Sequence, residues 1–227
     1  MITNSFVHHH PLGASIVKKQ VMALTGLMMA GFLLIHLAGN LLMFRSPEVF
    51  NQYAFQMLNN PIIIFLEWVL ALLFLCHALL GFLLIVENRK ARPVRYKVRF
   101  SVERGSALSF ASMSLTGPLM LIFLVMHLVN FKYGTNYTVV QGDIEIRDLY
   151  RTVIEYYSVP LNVVLYMLAM CAVALHLQHG VWSAFQSFGL NHPHYNRLLE
   201  IGSNLYALII LLGFIVIPLF FSMQEYF

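Results

Sequence analysis

An α-helix needs about 20 consecutive apolar residues to cross a hydrocarbon core of ~30 Å. This chain offers such a run five times, at about 21–44, 62–86, 105–131, 159–186 and 203–221. Within lipid a spanning segment must satisfy its own backbone donors and acceptors. The pattern therefore predicts an all-α membrane protein, one membrane domain over 1–227 with five transmembrane helices. Composition agrees, because 59% hydrophobic against 11% charged residues leaves too little polar surface for a soluble globule of 227 residues. Lys18 and Lys19 precede a long apolar run that lacks a small-residue cleavage site, so the first span is expected to be retained rather than removed as a signal peptide. Cys76 and Cys171 fall inside spans and read as small hydrophobes.

Charge sets the expected orientation. Arg89, Lys90, Arg92, Arg95, Lys97, Arg99 and Arg104 crowd the connection between the second and third spans, whereas Arg45 stands alone between the first and second. By the positive-inside rule the 87–104 connection is cytoplasmic. The N-terminus is then cytoplasmic and the C-terminus, Gln224 to Phe227, outside. The net charge of +4 comes from these flanks, so it serves orientation and no nucleic-acid partner is expected.

The chain also repeats itself. Met22-Ala-Leu-Thr-Gly26 in the first span matches Met113-Ser-Leu-Thr-Gly117 in the third, and His36 and His127 each follow ten residues after the glycine. The second and fourth spans share a His-x-x-x-Gly step, His77 to Gly81 and His176 to Gly180. Matching spans run in the same direction, which makes this a parallel repeat about an axis along the membrane normal. Equivalent histidines should then lie at equivalent depth.

A histidine in each of four apolar helices is costly in lipid unless something compensates it. Placement along the spans sorts them into an outer pair, His36 with His127, and an inner pair, His77 with His176. Two imidazoles from facing helices suit bis-histidine haem iron, whereas zinc wants four ligands in one tetrahedron. The expectation is two haem b groups at two depths in a four-helix bundle made by the first four spans. His179, one turn beyond His176, is the alternative fourth ligand. His176 is preferred because it alone repeats the His77 to Gly81 spacing, leaving His179 as a neighbouring or propionate-binding group. Lys18, Lys19, Arg89, Arg104 and Ser183 on the inner flank are further candidates around the haems. Gly26, Gly31, Gly39, Gly81, Gly117 and Gly180 would allow close backbone approach or plain helix packing.

These features together resemble the dihaem cytochrome b membrane anchor of the succinate:quinone oxidoreductase family, the single-chain five-helix type found in succinate dehydrogenases and quinol:fumarate reductases. The resemblance runs from Thr25-Gly26 to the fifth span. It is carried by the two Thr-Gly-x9-His-Leu strings, by His77-Ala-Leu-Leu-Gly81, and most distinctively by His176-Leu-Gln-His-Gly-Val-Trp-Ser-Ala-Phe-Gln-Ser-Phe-Gly189. It implies a ligand at the first histidine of that last string, and an electron-transfer subunit of an oxidoreductase complex in a bacterial cytoplasmic membrane. Implied partners are an iron–sulfur subunit and a flavoprotein subunit on the cytoplasmic face. Those partners would carry the iron–sulfur clusters, FAD and the dicarboxylate site, while menaquinone would be the membrane substrate.

Quinol oxidation releases protons, so an acid near the outer haem is expected, with Glu48 and Glu67 as candidates. Some relatives of that type carry a glutamate two residues before the inner ligand of the fourth span; Ala174 stands there, so no proton path through that position is expected. Cytochrome b subunits of hydrogenases or formate dehydrogenases, and a proton-coupled transporter using paired histidines, are the competing readings. In the first two the partner module usually docks outside, whereas the basic face here is inside.

Overall fold

In a computed structural model, residues 15–90 and 104–223 are described. Five helices are long and apolar enough to cross a membrane. Helix α1 (Ser15–Leu41) ends in a 3-10 turn, Leu42–Phe44. A shorter helix, α2 (Pro47–Asn59), precedes the second span, α3 (Pro61–Lys90). The third span, α4 (Arg104–His127), runs on through a π-helical turn at Leu128–Lys132. A hairpin, β1 (Thr138–Gln141) with β2 (Ile144–Arg147), and helix α5 (Leu149–Tyr157) lead to the last two spans, α6 (Pro160–Ser187) and α7 (Pro193–Met223). The chain is thus a multi-pass all-α membrane protein. The strongly basic 91–103 segment, the N-terminal tail with His8 to His10, and Gln224 to Phe227 lie outside the described residues.

Local chemistry explains where the helices start and stop. Ser46 accepts a hydrogen bond from the Val49 amide at 3.2 Å, and Pro47 takes the first position of α2, where its missing N–H costs nothing. Pro61 and Pro160 open α3 and α6 in the same way. Helix α6 ends in a Schellman motif: Leu190 N–H reaches Phe185 O at 3.1 Å, Gly189 N–H reaches Gln186 O at 2.9 Å, and Gly189 adopts φ +83°. The hairpin turns on Gly142 and Asp143, with Gly142 at φ +64° supplying the positive φ that a two-residue connection requires.

Packing is uneven among the spans. Helix α6 is central, in contact with α1, α4 and most extensively α7, while α3 packs mainly on α1 and touches α4 only lightly. Consequently α3 buries a single residue, Leu84, and turns apolar side chains outward on the rest of its surface, as a lipid-facing span does. A core of Ala30, Leu37, Met170, Val173, Leu177, Ala207 and Ile210 joins α1, α6 and α7 at mid-height. The fifth span is therefore part of the bundle. It also begins ten residues before the predicted 203, because Pro193 and the polar turn that follows continue the helix beyond its apolar part.

At one end α2, the hairpin and α5 form a cap, where the sequence predicts only loops. Buried Asn51 ties it together: its amide donates to Asp148 Oδ1 at 2.8 Å and its carbonyl accepts from Tyr150 N–H at 2.9 Å. Asp148 in turn caps α5 through the Arg151 amide at 3.0 Å. Arg147 donates to Lys132 O and Phe131 O at 3.0 and 2.9 Å, capping the C-terminal carbonyls of the third span. Replacing Asn51 with Ala removes both of these hydrogen bonds, a loss of about 0.5–1.5 kcal/mol for each. Faster amide exchange across 133–158, with the spans unchanged, is the expected result.

Candidate functional site

The bundle brings the four histidines together in the predicted pairs. The rings of His36 on α1 and His127 at the end of α4 have centroids 5.8 Å apart and planes at 85°. Those of His77 on α3 and His176 on α6 are 6.3 Å apart at 67°. All four are half-buried. The pairs occupy two layers: Thr25, which touches His77, lies eleven residues before His36 on α1, a separation of about 16 Å at ~1.5 Å per residue.

Each pair has its own surroundings. Around the outer pair, Phe32 stacks on His36 at 5.3 Å and Phe214, from the fifth span, lies 5.7 Å from it; Phe123 and Phe131 flank His127 at 5.7 and 5.3 Å. The amide of Asn40 reaches the His36 ring nitrogens at 3.4 Å. The π-helical turn starts directly after His127, a distortion common at functional sites. Around the inner pair the contacts are polar. Thr25 Oγ1 lies 3.1 Å from His77 Nδ1, and Thr116 Oγ1 lies 3.1 Å from His176 Nδ1. Gly26 admits the His77 ring, since a Cβ there would stand 3.0 Å from its Cε1.

The donor set fits haem iron. Each pair presents two imidazoles from different helices to a common space, with ring centroids 5.8 and 6.3 Å apart, so one metal could be shared between the two rings. In the inner pair Nδ1 is occupied by a hydrogen bond, leaving Nε2 at the far side of the ring for a Lewis acid. Among the described residues no group of three or more His, Cys, Asp or Glu side chains is placed to hold a metal ion, so zinc finds no tetrahedral set there. Beside Thr116, a Cβ added at Gly117 would meet nothing within 4 Å, leaving room for a flat ring against the backbone.

The remaining candidates are spread more widely. His179 faces Trp182, with centroids 6.1 Å apart. At the inner end Lys18 pairs with Glu87 across α1 and α3, while Lys19 and Arg89 are exposed. Ser183 is half-buried, its carbonyl accepting from the Ser187 hydroxyl. The side chain of Arg104 lies outside the described residues. At the outer end Glu67 forms an ion pair with Lys132 between α3 and the end of the third span. Glu48 lies in the first turn of α2 rather than in a loop. It lines an open cleft of about 380 Å³ with Gln52, Tyr53, Gln56 and Gln141. The Ser46 hydroxyl beside it holds its carboxyl below the usual range, so it is ionised at neutral pH. Ala174 is buried in α6.

Two contributions lay beyond sequence reasoning. The threonines of the Thr-Gly strings are visible as a repeat, but that they touch histidines of the following spans depends on how α1 meets α3 and α4 meets α6. Phe214 gave no signal at all, being one apolar residue among many. No protein-family model matches the chain, and neither a curated protein nor a solved structure shows significant similarity to it.

Proposed function

We propose that this chain is the dihaem cytochrome b membrane anchor of a succinate:quinone oxidoreductase. It would pass electrons between menaquinone or menaquinol and the iron–sulfur subunit of a fumarate reductase or succinate dehydrogenase, in a bacterial cytoplasmic membrane. The observation that carries the reading is the arrangement of four repeat-related histidines as two facing pairs in two layers, with ring centroids 5.8 and 6.3 Å apart. Haem iron, when bound, supplies reversible one-electron chemistry.

The chain's own residues do the rest. His36 and His127 would hold the outer haem, and His77 with His176 the inner one. Phe32, Phe123, Phe131 and Phe214 keep water from the outer pair, so a low-dielectric wall surrounds it. Among the described residues, Glu48 at the cap is the one of the two acids not engaged by a basic side chain, since Glu67 is paired with Lys132, and it is the candidate for taking a proton released on the outer side. On the basic inner flank the exposed Lys19 and Arg89 would offer charge to haem propionates and to a cytoplasmic iron–sulfur partner, while Lys18 is held by Glu87. FAD and the dicarboxylate chemistry would belong to the flavoprotein beyond it.

Purified protein should show b-type absorbance that a menaquinol analogue reduces. A preparation without b-type absorbance overturns the reading and returns the paired histidines to a proton-relay role.

A further inference from the structure

We propose that Thr25 and Thr116 are positioning residues that hold the inner histidine rings at Nδ1, Thr25 with the tautomer of His77 fixed, and that lower the reduction potential of the haem those histidines would hold; this rests on the haem reading above. Thr25 Oγ1 lies 3.0 Å from both Val21 O and Met22 O on its own helix, so its single proton is donated to a carbonyl. A lone pair then remains for His77 Nδ1 at 3.1 Å. Nδ1 also lies 3.0 Å from Met22 O, which can only accept. The proton therefore sits on Nδ1, and Nε2 is the bare nitrogen.

The second half of the repeat makes the corresponding contact, Thr116 Oγ1 to His176 Nδ1 at 3.1 Å. In each half, the Thr-Gly string of one span holds the histidine of the next. A hydroxyl suits this depth in a membrane, since it directs the ring without adding a buried charge. Among the described residues the neighbours of the outer pair are mainly aromatic, and its polar contacts are longer, Asn40 at 3.4 Å from His36 and Tyr166 at 3.5 Å from His127. The two sites thus differ in chemistry as well as depth. A hydrogen bond accepted from Nδ1–H makes Nε2 a stronger donor to iron and favours the ferric form.

The test is a potentiometric titration, followed by haem absorbance and low-spin EPR, of the full chain with Thr25→Val and Thr116→Val together. Expected are two haems per chain, an inner potential raised by about tenfold in the oxidised-to-reduced equilibrium, or ~59 mV for one electron, and an outer potential unchanged. The double Thr→Ser variant should restore the original value. Selective loss of the inner haem that serine reverses supports the same role. An inner potential and EPR signal identical to the unaltered protein overturn the proposal while leaving the dihaem function intact. Unaltered protein without haem would instead remove the reading beneath it. If the double valine variant fails to accumulate, Thr25→Val alone is measured, with a smaller rise because Met22 O remains, and an unchanged potential again overturning the proposal.

Discussion

A chain carrying His36→Ala should bind one haem rather than two, and the one it keeps should titrate as the inner haem does in the unaltered protein. The layers are about 16 Å apart along α1 and have different immediate surroundings. The outer pair rests against Phe32, Phe123, Phe131 and Phe214, and the inner one against Thr25 and Thr116. Removing one of two axial ligands should abolish outer binding, because an alanine there offers nothing to the iron. Haem quantitation with the redox titration checks this. Loss of both haems from a variant that still inserts and folds would count against two independent sites.

The second large effect separates neighbours on one helix. His176→Ala should lose the inner haem, whereas His179→Ala should keep both. His176 faces His77 with centroids 6.3 Å apart and has its Nδ1 on Thr116, while His179 lies one turn further and faces Trp182. Positions three apart share a helix face, so the sequence alone allowed either residue. Side-by-side spectra of the two variants decide it: retention of both haems in His176→Ala with loss in His179→Ala would reverse the assignment.

The spans and the pairing of histidines were legible because both depend on long-range regularities, apolar length and an internal repeat, which survive any detail of packing. The outer cap was not. Its elements are short and mixed in charge, so neither length nor hydropathy announces them, although Ser46-Pro47-Glu48, Gly142-Asp143 and Asp148 are recognisable start and turn signals in hindsight of the fold. The start of α7 was missed because Asn196, Arg197 and Glu200 look like loop residues, yet they form the polar first turns of a helix extending past its apolar part. Glu48 and Glu67 are both open as proton acceptors from sequence, because the ion pair of Glu67 with Lys132 depends on how α3 meets the end of the third span.

The central claim is that the four histidines make two independent haem sites. Pyridine haemochrome quantitation against protein mass, on the purified full chain, tests it most directly. Two b-type haems per chain, titrating in two one-electron steps, is the predicted result; none, one or three would contradict the assignment of His36 with His127 and His77 with His176.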